Sequence, residues 1–140
     1  MKALKAHIVT IALLLAACLA TEAASQTLRD ANYHNTGRIS PNGVVRGANS
    51  QSIGFFDSDG TVRDSNNKAI GKIKAMQIYD NSGTRIGYVN TDGTVHDGES
   101  RTLGKIDRNG KVTDASQKVI GYAQGVKYEW IACYYFFFFQ

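Results

Sequence analysis

The sequence has almost no proline, almost no cysteine and little net charge, and each shortage excludes a class of protein. One proline beside 14 glycines leaves a chain rich in turn residues whose apolar residues still recur regularly, which indicates an all-β meander and excludes disorder. The two cysteines are Cys18 and Cys133. Once an N-terminal signal containing Cys18 is removed, no internal disulfide can form, so core packing must stabilise the fold.

Charge is also in short supply. Without Lys2, Lys5 and Glu22 of the N-terminal segment, the 16 basic and 12 acidic residues become 14 and 11, a net charge of +3. These charges are spread evenly along the chain. Neither nucleic acid nor an anionic membrane surface is therefore expected as a partner.

Catalytic and metal-binding signatures are missing as well. His34 and His96 fall in different repeats, without a cysteine or carboxylate at metal-ligand spacing. Residues 57–60 (Asp-Ser-Asp-Gly) and 90–93 (Asn-Thr-Asp-Gly) resemble the start of a calcium loop, but the Glu at its twelfth position is missing, so both are interpreted as turns. No catalytic residue, metal ligand or cofactor is expected, and the protein is predicted not to be an enzyme.

What the chain does have is a repeat of about 17 residues. Six glycines open its units at spacings of 17, 17, 16, 17 and 17. They are Gly37, Gly54, Gly71, Gly87, Gly104 and Gly121. In the clearest unit, Ile106 and Val112 flank a turn of residues 107–110 (Asp-Arg-Asn-Gly), which predicts a hairpin whose Gly110 takes φ > 0. The third unit is one residue shorter, so its turn at residues 74–77 must be built differently.

A second turn in each unit begins with an aspartate, and these residues form a series. Its members are Asp30, Asp64, Asp80, Asp97 and Asp114, with Gly47 in the place of the aspartate once. Each aspartate is expected to bond the amides of its own turn. The alternative is a ring of carboxylates that binds a cation or sugar hydroxyls. Together with the unit-opening glycines and Trp130, the aspartates are predicted to be structural residues.

The repeat predicts an all-β fold in which short hairpins form a closed radial array, similar to a propeller. The array, residues 28–123, begins with half a unit at Leu28 and ends on a glycine-led strand at 121–123 without a partner. Pairing these two ends closes the ring and removes both open edges. Residues 26–140 are therefore predicted to form one domain.

Residues 1–25 have the pattern of a secretory signal peptide. Lys2 and Lys5 precede an apolar run from Ile8 to Leu15 that is too short for a stable membrane anchor. Cleavage after Ala20, Ala23 or Ser25 fits the small residues there, whereas residues 15–18 (Leu-Ala-Ala-Cys) also resemble a lipobox. The protein is expected to be exported to the periplasm, outer membrane or exterior, with lipidation of Cys18 as its one route to a membrane.

The C-terminal tail, residues 124–140, holds eight of the 14 aromatic residues of the chain. Exposed to water, such a run would promote aggregation, and full burial of one aromatic contributes roughly 1.5–3 kcal/mol. The tail is therefore predicted to pack into the core of the ring. A helix is the preferred form because the segment is apolar on all sides, and a strand is the alternative.

These features together resemble a known family. The repeated Gly-x-Ile-x-x-x-Gly-x-Val-x-Asp unit, the run Trp130-Ile131-Ala132 and the four phenylalanines at 136–139 are similar to the five-fold β-flower proteins, small exported bacterial proteins. The resemblance covers residues 28–140 and implies a radial arrangement of hairpins. It implies no activity, and six glycine-led strands allow either five or six petals.

Two functions follow as hypotheses. The first is a non-enzymatic scaffold or protein-binding module of the bacterial cell envelope, acting through its turn-rich rim. The alternative is a protein that binds a glycan or another small polar ligand through exposed tyrosines, for which the candidates are Tyr33, Tyr79 and Tyr88. A hydrolase would require a perturbed histidine or carboxylate in a cleft.

Overall fold

The computed structural model describes residues 26–140, so the predicted signal peptide with Cys18 lies outside the described residues. This part of the chain forms twelve strands and then one short helical segment. The strands are β1 (Gln26–Asp30), β2 (Asn35–Ile39), β3 (Val44–Gly47), β4 (Ser52–Phe56), β5 (Thr61–Asp64), β6 (Ala69–Lys74), β7 (Gln77–Asp80), β8 (Arg85–Val89), β9 (Thr94–Asp97), β10 (Thr102–Ile106), β11 (Lys111–Asp114) and β12 (Val119–Tyr122). An α-helix, α1 (Tyr128–Ala132), continues into a π-helical segment (Cys133–Phe137). Within residues 26–140, no helix is long and apolar enough to cross a membrane.

The strands close into a ring. Each strand pairs with its neighbours in sequence, and β1 and β12 pair with each other, with Arg29 opposite Tyr122 and Asp30 opposite Gly121. This is the predicted pairing of the N-terminal half-unit with the last glycine-led strand, and it leaves no open edge in the described sheet. The all-β closed array is thereby confirmed. Its twelve strands form six two-stranded units, so the ring has six petals.

Both turns of a unit have the same geometry. In the first, the amide of Gly110 donates to the carbonyl of Asp107 at 3.0 Å, and Gly110 has φ +83°. In the second, the amide of Gln117 donates to the carbonyl of Asp114 at 3.0 Å, and Gln117 has φ +66°. Each is a type I turn closed by a residue in the left-handed region, as the residues at 107–110 predict.

The shorter third unit is joined by a two-residue turn. Ala75 and Met76 both lie in the left-handed region, with φ +51° and +62°. Lys74 and Gln77 are paired directly across this turn. Two left-handed residues in sequence are the mark of a type I′ hairpin turn, which needs one residue fewer than the turns of the other units. This explains the single spacing of 16.

The aspartates of the series bond their own turns, as predicted. One carboxylate oxygen accepts from the amides two and four residues further on, for example from Asn66 at 2.9 Å and Lys68 at 3.0 Å for Asp64. The same pair of bonds recurs at Asp30, Asp80, Asp97 and Asp114. These carboxylates therefore hold the turns together.

Acid should weaken these turns. Hydrogen bonds from turn groups lower the pKa of Asp30, Asp59, Asp80, Asp92 and Asp97 below the ordinary value of 3.8. A pKa that is lower in the folded than in the unfolded chain contributes stability that is complete above pH 3.8 and is lost as the pH falls through the folded value. We expect the thermal midpoint to stay constant down to about pH 4 and to fall below it.

The Asp80→Asn variant is the matched control for this pH dependence. It keeps a side-chain oxygen that can accept the turn amides but cannot titrate, so its thermal midpoint should fall less steeply with acid than that of the wild type. An equal midpoint at about pH 2 and at neutral pH would contradict the assignment.

Every unit contains a β-bulge next to its glycine. Val45 is paired with Gly54 and Arg46 with Ser52, so Ile53 has no partner in the neighbouring strand. The corresponding residues of the other units are Thr36, Ile70, Ile86, Leu103 and Ile120. The apolar bulge residues pack against the core beside the glycines, because a bulge re-aims the side chain that it adds.

The C-terminal tail lies within the ring. Ile131, Ala132 and Cys133 are at most 1% exposed and pack among the inward-facing residues of the strands, such as Leu28 and Val62. Burial raises the pKa of the Cys133 thiol, so it acts as a small core residue. Packing of the tail into the core is confirmed, and so is its preferred helical form, although the second half is a π-helix.

Six consecutive aromatic side chains, residues 134–139, cover six glycines, and we call these side chains the aromatic crown. A Cβ added at Gly87 would lie 2.3 Å from Cζ of Phe137. The pairs are Tyr134 with Gly37, Tyr135 with Gly121, Phe136 with Gly104, Phe137 with Gly87, Phe138 with Gly71 and Phe139 with Gly54. The order runs once around the ring. Each unit-opening glycine therefore makes room for one ring.

The π-helical segment suits this arrangement. The amide of Phe138 donates to the carbonyl of Cys133 at 2.8 Å, a bond that spans five residues. Such a widened turn distributes successive side chains around the axis in smaller steps than the roughly 100° of an α-helix. Six neighbours in sequence can thereby reach the six glycine-bearing strands, which are every second strand of the ring.

The two tyrosines of the crown stand at the two positions where a hydrogen-bond partner lies within reach of the ring. The Tyr135 hydroxyl donates to the carbonyl of Arg29 at 2.6 Å, where β1 and β12 close the ring. The Tyr134 hydroxyl lies 3.3 Å from Oγ1 of Thr36, the one bulge residue that is not Ile or Leu. Buried hydroxyls need partners, so tyrosine stands where a partner exists and phenylalanine elsewhere.

Candidate functional site: the Trp130 cleft

A large cleft lies around Trp130, and we call it the Trp130 cleft. Its volume is about 660 Å³. Side chains and backbone from three turns and from helix α1 line it: Pro41, Asn42, Phe56, Asp57, Ser58, Gly60, Ile73, Ala75, Met76, Lys127, Glu129 and Trp130. It therefore depends on several units of the repeat at once.

Trp130 is held in place by its neighbours. Its indole stacks on the ring of Phe56, with centroids 5.0 Å apart and planes 6° apart. The Lys127 ammonium lies 4.8 Å from the centroid of the indole. Phe56 in turn contacts Phe139 of the aromatic crown edge-on at 5.9 Å. The half-buried indole is thus fixed before any ligand arrives, which lowers the entropy cost of binding.

A smaller cleft of about 230 Å³ lies on the other side of Trp130. It shares Pro41, Lys127 and Trp130 with the Trp130 cleft and adds Ile39 and Val126. Trp130 therefore stands between two concave surfaces. An extended ligand could cross it and contact both sides.

Charged groups of both signs border the Trp130 cleft. Lys127 and Glu129 belong to the chain that enters and forms helix α1. Asp57 forms an ion pair with Arg63 at 2.7 Å, so its carboxylate already has a partner. An apolar centre with a charged rim is the usual anatomy of a protein-binding surface.

The structure does not bring the three candidate tyrosines together. Tyr33 follows β1, whereas Tyr79 and Tyr88 lie on β7 and β8, six and five strands away around the ring of twelve. Tyr33 is 59% exposed. The expected exposure of Tyr79 and Tyr88 is wrong, because both are half-buried.

Neighbours on the outer wall cover these two tyrosines. The ring of Tyr88 stacks on His96 at 4.8 Å, and the Arg85 guanidinium lies 5.0 Å from its centroid. Tyr79 lies between its cross-strand partners Lys72 and Arg85. Long side chains that face each other across strands pack together in this way.

Tyr33 belongs to a separate polar pocket. The pocket has a volume of about 240 Å³ and is lined by Gln26, Thr27, Arg29, Tyr33, Asn109, Tyr122 and Gln124. Tyr33 and Tyr122 meet edge-on at 5.1 Å, and the Arg29 guanidinium lies 4.4 Å from the Tyr33 centroid. Of the predicted tyrosines, only Tyr33 lies in a cavity with another aromatic ring.

The two histidines among residues 26–140 lie in different environments. Nε2 of His96 lies 3.1 Å from the Asn90 amide nitrogen, and its Nδ1 is buried without a hydrogen-bond partner among the described residues. His34 is exposed, with Nδ1 3.5 Å from a carboxylate oxygen of Asp30. Residues 26–140 contain no group of three side chains placed to hold a metal ion.

Trp130 was predicted to be a structural residue, and the residues that surround it were not predicted. Three features of the lining depart from the repeat, and these departures are the signal in the sequence. Phe56 is the one aromatic at a position held by Ile39, Ile73, Val89 and Ile106 in other units. Pro41 is the one proline of the chain, and Met76 belongs to the one short turn.

Comparison with known proteins identifies one match. The model of a family described as 5-fold beta-flower protein matches residues 25–139, nearly the whole of the described chain. No curated protein and no solved structure gives a significant match. The matched residues include all twelve strands and the aromatic crown.

Proposed function

The chain belongs to the 5-fold beta-flower protein family, and we propose that it is an exported, non-enzymatic module that binds a segment of a partner protein in the Trp130 cleft. The lysines and apolar run of residues 1–25 support export to the cell envelope or exterior. Mass spectrometry of the mature N-terminus tests this part. It separates simple cleavage near residue 25 from a lipidated Cys18.

One observation carries the binding proposal: departures from the repeat converge on one place. Phe56, Pro41 and the turn containing Met76 come from three different units, yet all line the Trp130 cleft. A repeat array needs none of these substitutions to close its ring, since the other units do without them. Departures that meet at one cleft are what a binding site added to a scaffold produces.

The lining favours a peptide segment as the ligand. Aromatic residues and methionine are enriched at protein interfaces, and tryptophan is prominent among the residues that dominate binding energy. The volume of about 660 Å³ falls within the range of roughly 300–1,000 Å³ that is usual for ligand sites. Lys127 and Glu129 can select side chains of opposite charge beside an apolar anchor.

Trp130 supplies a direct test, because it is the one tryptophan of the chain. Peptides selected from a displayed random library on the mature protein are titrated while its fluorescence is recorded. Burial of the half-exposed indole should shift the emission to shorter wavelength. Met76→Ala should weaken binding by roughly fivefold or more, as expected for an interface anchor.

Lys105→Ala is the matched control, since Lys105 lies exposed on the outer wall and outside the cleft. It should bind the selected peptides as the wild type does. Selected peptides that bind without changing Trp130 emission, or that bind Met76→Ala equally well, would refute the proposed site.

The polar pocket at Tyr33 favours a second candidate, the binding of a glycan. Two aromatic rings that meet edge-on beside an arginine and two glutamines can contact the faces and hydroxyls of a sugar. Glycan-array binding that is lost in Tyr33→Ala and kept in Tyr79→Ala would support it. The absence of any array signal would remove this candidate.

A further inference from the structure

One unit of the ring carries an unusual pair on its outer wall. Arg38 of β2 lies directly opposite Arg46 of β3. The corresponding pairs of the other units contain at most one lysine or arginine: Phe55 with Arg63, Lys72 with Tyr79, Tyr88 with His96, and Lys105 with Thr113. Like charges that face each other across strands are destabilising. Within residues 26–140, neither arginine has a carboxylate within ion-pair distance.

The same unit lacks the aspartate that every other unit has at its second turn. Gly47 stands in that place, and the Gln51 side chain takes over the task, since its oxygen accepts from the amide of Asn49 at 3.0 Å. The turn therefore keeps a hydrogen-bond acceptor but has no negative charge. The missing carboxylate and the additional arginine, Arg38, both make the surroundings of this turn more positive.

The two guanidinium groups converge on this turn. Nη2 of Arg38 donates to the Ser50 hydroxyl at 2.7 Å, and Nη1 of Arg46 donates to the Ser50 carbonyl at 3.0 Å. A pocket of about 70 Å³, roughly the volume that two waters occupy, lies beside Arg38 and this turn. It is lined by Thr27, Asn35, Gly37, Arg38, Gly47, Ala48 and Ser50.

Comparison with the other units shows which of these two arginines makes a contact that belongs to the turn itself. Arg29 and Arg63 donate to the carbonyls of Tyr33 and Asn67, each at 3.2 Å, as Arg46 does to Ser50. The bond of Arg46 is therefore a recurrent feature of the turns. Arg38 has no such counterpart and is exposed.

We propose that this pocket is a site for a phosphate group, which Arg38 of the lining would bind while Arg46 on the neighbouring strand adds positive charge. The planar fork of arginine offers five N–H donors and matches the oxygens of phosphate, while Thr27, Asn35 and Ser50 supply neutral donors. Removal of a carboxylate from the turn lowers the repulsion that an anion would meet. The site shares no residue with the Trp130 cleft.

Substitution of Gly47 tests this site with little risk to the fold. The three atoms nearest to a Cβ at Gly47 all belong to the end of the Gln51 side chain, with Nε2 the closest at 2.5 Å, and an Asp or Asn at 47 can take over the bond that Gln51 accepts from the Asn49 amide. Gly47→Asp restores the residue used by the other units and places a carboxylate at the pocket. Gly47→Asn has almost the same shape without the charge.

The measurement is thermal unfolding of the mature protein in inorganic phosphate and in chloride at equal ionic strength. Phosphate should raise the midpoint of the wild type, because a ligand of the folded state stabilises it. The increase should disappear in Gly47→Asp and in Arg38→Gln and persist in Gly47→Asn. Apparent phosphate affinity should fall at least about tenfold in Arg38→Gln.

A wild type that phosphate stabilises no more than chloride would overturn the proposal, as would a Gly47→Asp variant that responds to phosphate like the wild type. Vesicles identify the source of the phosphate. Sedimentation with phosphatidylglycerol but not phosphatidylcholine vesicles, lost in Gly47→Asp, supports a lipid headgroup. Stabilisation by phosphate without sedimentation supports a soluble phosphate ester.

Discussion

A chain that ends at Cys133 is expected to yield no soluble folded protein. Deletion of residues 134–140 removes the whole aromatic crown and leaves six inward-facing glycines with nothing packed over them. Full burial of one aromatic side chain contributes roughly 1.5–3 kcal/mol, and the net stability of a domain is roughly 5–15 kcal/mol. Six rings, even partly exposed ones, therefore contribute an amount comparable with the whole stability.

The tail also links the two strands that close the ring. The Tyr135 hydroxyl binds the carbonyls of Arg29 and Tyr122 on the two strands that close the ring. Only two residue pairs connect these strands. Without the tail, this closure is the weakest point of the array.

The measurement is the soluble yield of the truncated protein, followed by its circular dichroism and thermal unfolding. Deletion of Gln140 alone is the control, because this residue is exposed and outside the crown. It should leave the midpoint unchanged. A soluble protein without residues 134–140 and with the wild-type midpoint would show that the crown does not stabilise the ring.

The parts of this fold that can be predicted from sequence are the ones that local patterns determine. The turn at 107–110 depends on an aspartate and a glycine three residues apart, and its geometry is the one expected. Ring closure follows from the half-unit at Leu28 and the unpaired strand at Gly121, since both edges need a partner. These features depend on neighbours in sequence or on counting.

The glycine–aromatic correspondence is not predictable in the same way. Gly87 and Phe137 are 50 residues apart, and nothing local indicates that a ring will lie where a side chain would begin. One signal was present in the sequence, because six glycine-led strands match six consecutive aromatic residues at 134–139. A ring of five such strands would have room for five.

The candidate sites were harder to predict than the fold because their residues are also far apart in the sequence. Trp130 was recognised as part of the core, but its cleft is formed by turns of separate units and by residues such as Pro41 and Met76. The exposure of Tyr88 failed as a prediction because His96 and Arg85 cover it from neighbouring positions of the sheet. In a repeat protein, a residue that breaks the repeat is a better guide to a site than its residue type.

Replacement of Gly87 by valine should destabilise the protein by about 3 kcal/mol, at the upper end of the cost of overpacking a core. A Cβ there would lie 2.3 Å from Cζ of Phe137 and 2.6 Å from the His96 carbonyl oxygen. Both contacts are far too short, and the backbone carbonyl cannot move without disturbing the pairing of β8 with β9. Chemical denaturation gives the loss of unfolding free energy directly.

The pairing of Gly87 with Phe137 is tested by a double-mutant cycle. Gly87→Ala and Phe137→Ala should each destabilise the protein, the second by about 2–3 kcal/mol for a partly buried ring. Together they should cost less than the sum by about 1 kcal/mol, because the added methyl no longer meets the ring although it still meets the His96 carbonyl. Gly47→Ala is the control, since the three atoms nearest to its Cβ all belong to the Gln51 side chain. Additive effects at Gly87 and Phe137 would mean that the glycine is required by the backbone alone, and that the crown does not determine where the glycines fall.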